Sequence, residues 1–143
     1  MKITNTKIKN ACRKILSKRK DIEFAYLFGS RAKGRFNRVS DVDLAVFVNE
    51  KLDSQKRFSL RLELISLVGH ELRRDNIDLV ILNEAPLLLS FNVIKDGIII
   101  FCLNESRRIH FEAKVMSRFY DQQYYLKRRL DLSISQIARG GLR

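Results

Sequence analysis

Residues 41–48 run Asp41-Val42-Asp43-Leu44-Ala45-Val46-Phe47-Val48. Val42, Leu44, Val46 and Val48 recur at every second position, the period of a strand with one buried face. Residues two apart on a strand project from the same side. Asp41 and Asp43 therefore stand next to each other, opposite that apolar face. Carboxylates held so close repel, and one is driven toward its protonated form unless a cation lies between them. A divalent metal is the most economical cation for this. Oxygen-only ligation favours Mg²⁺ or Mn²⁺ over zinc.

The rest of the chain alternates helical and strand periods around this segment. A helix is expected over about 5–19, with Ile8, Ala11, Cys12 and Ile15 on one face. A strand over about 23–28 ends at Gly29, and residues 31–34 form a short helical turn closed by Gly34. The strand at 42–48 follows, then a helix over 55–74 and a strand over 76–82. Asn83 reads as the N-cap of a helix that holds Pro86 in its first turn and runs to about 95. Residues 97–101 read as a strand, and a long helix runs from about 106 to 130. The expected fold class is α/β: a mixed sheet of about four strands packed with helices, with a long C-terminal helix. One domain spans 1–130, and 131–143 is a tail that is loose or orders on a partner.

Asp78 stands in the apolar strand 76–82, one helix after Asp43. A crossover helix commonly joins neighbouring strands, so Asp78 can reach the same cluster. Three carboxylates can hold two Mg²⁺ ions, an arrangement suited to in-line displacement at phosphorus. Gly29 lets backbone approach a phosphate closely, and the amides that follow open a helical turn that favours an anion. Ser30 adds a hydroxyl donor. Arg31, Lys33, Arg35 and Arg38 are the cations at hand to balance a triphosphate.

The net charge of +12 is concentrated at the two ends. Residues 1–20 hold eight Lys/Arg and no acid, and residues 106–143 hold nine against three acids, whereas the middle is slightly acidic. Such ends suit a polyanionic partner, or are simply solvated helix faces. No apolar run is long enough to cross a membrane and no secretory leader is visible, so the chain is expected in the cytoplasm. Cys12 and Cys102 belong to no metal or redox motif and read as buried or half-buried free thiols. His70 and His110 have no part in the metal chemistry. Tyr120, Tyr124 and Tyr125, at helical spacing, read as packing or partner-facing residues.

The segment Gly29-Ser30-Arg31-Ala32-Lys33-Gly34, continued by Ser40-Asp41-Val42-Asp43-Leu44, resembles the signature of the polymerase-beta-type nucleotidyltransferases, and within them the minimal nucleotidyltransferases. The resemblance implies a polymerase-beta-like palm in which Asp41, Asp43 and Asp78 bind two Mg²⁺ (or Mn²⁺). It also implies that Gly29 and Ser30, with Arg31, Lys33 and Ser40 nearby, hold the phosphates of ATP. The stretch from Ala85-Pro86 through Gly97-Ile98 to Phe111, Glu112 and Tyr120 is similar to the antitoxins of HEPN ribonuclease toxins. That likeness implies transfer of AMP from ATP to a tyrosine of a cognate HEPN toxin, in a hetero- or homo-oligomer. Two other readings stay open. One is a nucleotidyltransferase acting on a small molecule such as an aminoglycoside. The other is a non-catalytic protein that masks a toxin or RNA.

Overall fold

The computed structural model describes residues 4–34 and 41–140. Helix α1 (Asn5–Leu16) leads to strand β1 (Ile22–Phe28), then β2 (Val42–Val48), helix α2 (Ser54–Leu72) and β3 (Ile77–Ile81). A 3-10 turn (Leu82–Glu84), helix α3 (Leu87–Asp96), β4 (Ile98–Cys102) and helix α4 (Glu105–Ala138) complete the order. The strands form one mixed sheet in the order β3-β2-β1-β4. β1 runs antiparallel to both β2 and β4, whereas β2 and β3 are parallel neighbours joined by α2.

The strand alternation divides the sheet into two faces. Val42, Leu44, Val46 and Val48 pack with Leu79 and Ile81 of β3 against α1 and α2. Those helices contribute Ile8, Cys12 and Leu16, and Leu60, Leu64, Val68 and Leu72. The opposite face carries Phe24, Tyr26, Ala45 and Phe47 under Val93 of α3 and Phe111 of α4. The Phe24 and Phe47 rings stack at 4.8 Å between centroids. Ile22 and Phe24 would share a face on a regular strand, yet they enter different cores. A register shift between them re-aims the strand.

Local capping sets where the helices start. Thr4, Asp53 and Asn104 each accept from the backbone N–H three residues on, at the heads of α1, α2 and α4. Each such cap stabilises its helix by about 1 kcal/mol. α4 is tied to the sheet by the buried hydroxyl of Tyr26, which donates to Glu112; Arg108 donates to the same carboxylate at 3.0 Å. Burial and this carboxylate push the Tyr26 phenol far above its ordinary range. Cys12 is buried, which pushes its thiol up to about 12, and Cys102 is exposed rather than half-buried.

Two elements differ from the expectation drawn from the sequence. The helix expected to stop near Leu130 continues to Ala138. Residues 131–138 contain neither Gly nor Pro, and the left-handed Gly140 (φ 79°) is the first breaker met. Asn83 is not an N-cap, since α3 begins after Pro86. Its side-chain amide instead accepts from Val48 N–H at 2.9 Å and donates to Val48 C=O at 2.8 Å. The ladder between β2 and β3 ends at Val46 and Ile81, so the Asn83 amide serves Val48 as one further strand partner.

Replacing Asn83 by Ala leaves both Val48 groups without these bonds. Asn83→Ala is expected to lower stability by about 1–3 kcal/mol, read as a shift of the urea midpoint at unchanged slope.

Candidate active site

Strand register sets two of the three carboxylates side by side. In the parallel β2–β3 ladder Asp43 lies directly opposite Asp78. Neighbouring strands lie about 4.8 Å apart, so the two side chains leave the same face next to each other. Asp41 sits one residue ahead of β2, where Val42 N–H donates to Asn76 C=O at 2.9 Å and fixes the entry of the strand. Asp41 and Asp78 are exposed and Asp43 is half-buried. Burial above all, and then the charges of Asp78 and Asp41, hold the Asp43 carboxyl above its ordinary value.

The turn after β1 closes onto this pair. Phe28, the last residue of β1, lies opposite Asp43 in the antiparallel ladder. Gly29 follows with φ 76°, and a Cβ built there would lie 2.3 Å from Oδ2 of Asp43. The backbone therefore touches the carboxylate where any side chain would displace it. Ser30 is half-buried beside it. The turn closes on itself through Lys33 N–H to Gly29 C=O (3.3 Å) and Gly34 N–H to Arg31 C=O (3.2 Å).

The cations expected to face a phosphate are placed differently from one another. Lys33 is exposed and pairs at 3.6 Å with Asp96, at the end of α3. Arg31 is fully buried, and its carbonyl accepts from the Asn5 side chain at 3.0 Å. Burial, and to a lesser degree nearby Arg74, lowers its guanidinium from the ordinary value. Arg31 thus ties the turn to α1 from inside the protein. Ser40, Arg35 and Arg38 lie outside the described residues.

Arg61 of α2 was not singled out in the sequence. It reaches the edge strand, donates to Leu79 C=O at 2.7 Å, and places Nη2 3.6 Å from Oδ1 of Asp78. Nothing in the helical period of α2 distinguishes it from the other polar residues there, because its partner is set only by the crossover. Among the described residues no group of three His, Cys, Asp or Glu side chains is gathered tightly enough to hold a metal ion. Asp78 is turned toward Arg61, and the open arrangement relieves repulsion among three anions. A divalent ion fits the donor set chemically. The oxygens are hard, and the charges of Asp78 and Asp41, which add to burial in raising the Asp43 carboxyl, are ones a cation would neutralise.

Three comparisons with known proteins bear on the site. A family model described as polymerase beta, nucleotidyltransferase matches residues 10–106. The protein adenylyltransferase MntA of Shewanella oneidensis is 34% identical over 76 residues, which cover 53% of this chain and 51% of that protein. The chain thus spans about half the length of the curated relative it matches. A crystal structure of a toxin–antitoxin with AMP-PNP is 27% identical with a TM-score of 0.68, covering 88% of this chain and 98% of that one. A tri-AMPylated Shewanella oneidensis HEPN toxin in complex with its MNT antitoxin shares the fold. Its TM-score is 0.63 at 23% identity, over 89% of this chain and 96% of that one.

Gly29→Ala is expected to cost about 1–2 kcal/mol from left-handed backbone alone, and to push the Asp43 carboxylate from its place. Thermal unfolding and metal titration would record the two effects separately. Because the folded state raises the Asp43 carboxyl, its ionised form costs stability above the folded-state titration, and the cost vanishes below the unfolded one. Metal-free Asp43→Asn should therefore melt higher than the native chain at pH 7. That advantage should shrink to nothing as pH falls through the ordinary carboxylate range.

Proposed function

The chain belongs to the polymerase beta nucleotidyltransferase family, and we propose that it is a Mg²⁺-dependent adenylyltransferase antitoxin that moves AMP from ATP to a tyrosine of a cognate HEPN-type ribonuclease toxin. The observation that carries this reading is the register pairing of Asp43 with Asp78, beside a glycine turn where a side chain would displace the Asp43 carboxylate. The relative with adenylyltransferase activity and the neighbour assembled as a toxin–antitoxin with AMP-PNP support the donor and the partner.

In the proposed reaction the tyrosine oxygen attacks the α-phosphorus of ATP. The bond from that phosphorus to its bridging oxygen breaks, and pyrophosphate leaves. Two Mg²⁺ ions (or Mn²⁺) held by Asp41, Asp43 and Asp78 would neutralise the departing pyrophosphate and make the attacking hydroxyl more acidic. The chain's own groups then have distinct tasks. Gly29 lets the turn backbone approach the triphosphate, and the Ser30 hydroxyl donates to a phosphate oxygen. Lys33 supplies a positive charge at the mouth of the turn, exchanging Asp96 for the nucleotide. Asp78, released by Arg61, stands on the acceptor side and helps to take the tyrosine proton. Arg31 positions the turn from its buried site.

The partner surface in this reading is the far half of α4. Its last buried residue is Val115, and Tyr120, Tyr124, Leu130 and Ile134 are all about 60% exposed. Those values are high for so many large apolar side chains on one element, and they favour a covering protein. Among the described residues no helix is long and apolar enough to cross a membrane. A cytoplasmic location is part of the same proposal.

Incubation with α-labelled ATP, Mg²⁺ and the cognate toxin should place label on a toxin tyrosine. Asp41→Asn combined with Asp43→Asn should reduce it by on the order of 10²–10³ or more, as when preorganised charge stabilisation is lost. Unlabelled toxin, inactivated equally well by the double variant, would replace catalysis with masking.

A further inference from the structure

A cavity of about 440 Å³ opens between the end of β2, the 3-10 turn, α3 and the first turns of α4. It lies on the same face of the sheet as the carboxylates but farther along it. Phe47, in its wall, is four residues beyond Asp43 on β2, a distance of about 13 Å at the usual strand rise. The volume falls in the range of small-ligand sites.

The lining is cationic. Arg57, Arg107, Lys114 and Arg118 face it, with Glu50 the one carboxylate among the lining residues. Arg107, Phe111, Lys114 and Arg118 recur at four, three and four residues, so α4 turns a single stripe toward the cavity. Two of the cations are partly balanced. Arg107 pairs with Glu23 (3.3 Å) and Glu50 (3.5 Å), and Arg57 with Glu84 (3.7 Å). Among the described residues neither Lys114 nor Arg118 has a carboxylate within ion-pair distance. Among the described residues the Nε–H of Arg57 is buried without an acceptor. Between the cations the wall is mixed, with Leu82, Leu87, Phe111 and Val115 apolar and Asn83, Ser90 and His110 polar.

We propose that this cavity is a second, non-catalytic binding site for a nucleoside di- or triphosphate. Forked guanidinium donors match adjacent phosphate oxygens, and Lys114 adds a compact charge. The apolar wall gives the base a surface that a bare inorganic anion would not use. An acidic peptide would satisfy the charges but would leave the apolar side chains Leu82, Leu87, Phe111 and Val115 uncovered. The inference is independent of the transfer chemistry, because none of these residues belongs to the carboxylate cluster or its glycine turn.

The test is binding of ADP, pyrophosphate and AMP to the full chain in EDTA at low ionic strength, followed by calorimetry and by amide shifts in NMR. EDTA removes metal-dependent binding at the carboxylates. ADP should bind and move the amides of residues 107–118, with AMP and pyrophosphate weaker. Lys114→Glu with Arg118→Glu changes two exposed side chains and should weaken ADP by about tenfold or more, the loss of at least one charge-assisted bond. Asp41→Asn with Asp43→Asn should bind ADP as the native chain does, so failure of the transfer reading would leave this result intact. ADP binding that survives the charge reversal, or shifts confined to residues 28–34, would overturn the assignment. Pyrophosphate binding as tightly as ADP would overturn the nucleotide part of it.

Discussion

Like charges directly opposite one another weaken a sheet, yet β2 and β3 hold Asp43 against Asp78 in register. They can do so because the same register seats Leu44 beside Leu79 and Val46 beside Ile81 in the buried face. A slip of one residue would carry every apolar side chain of the strand to the wrong side. The hydrophobic pattern of one face thus enforces electrostatic repulsion on the other. Gly29 adds to the confinement by closing the space behind the Asp43 carboxylate. The energy of that crowding is available to any cation that relieves it.

The remaining architecture serves to leave this corner of the sheet open. α1 and α2 cover one face along its length, whereas α3 and α4 cover the other over the aromatic residues Phe24, Tyr26 and Phe47. The bulge in β1 lets one short strand feed both cores, because it shifts the parity of its side chains partway along. Arg61, reaching round the edge strand from the covered face, gives Asp78 a counter-charge in the open arrangement.

Much of this was legible in the sequence because the informative residues obey short-range rules. The valine alternation locates β2 to the residue, and Asp78 follows from an apolar run placed one crossover helix later. What escaped is what depends on distant partners. Asn83 looks like a cap because its neighbours suit a helix start, but the unpaired backbone of Val48, thirty-five residues away, claims its amide. The burial of Arg31 beneath the turn is likewise not legible from its place after Gly29-Ser30. The length of α4 was underestimated because polar composition was read as looseness, though no breaker precedes Gly140. The stripe of cations on the inner side of α4 was hidden among many Lys and Arg of that segment.

Beyond Tyr120, whose ring still meets Phe91 of α3, α4 continues for eighteen more residues, a projection of about 27 Å at the helical rise. Such a boom sets a dimension for whatever is held there. An object that grips the tip while presenting a hydroxyl to the sheet must itself be of that breadth, the size of a folded domain. A sugar or a short peptide could reach one end or the other, never both.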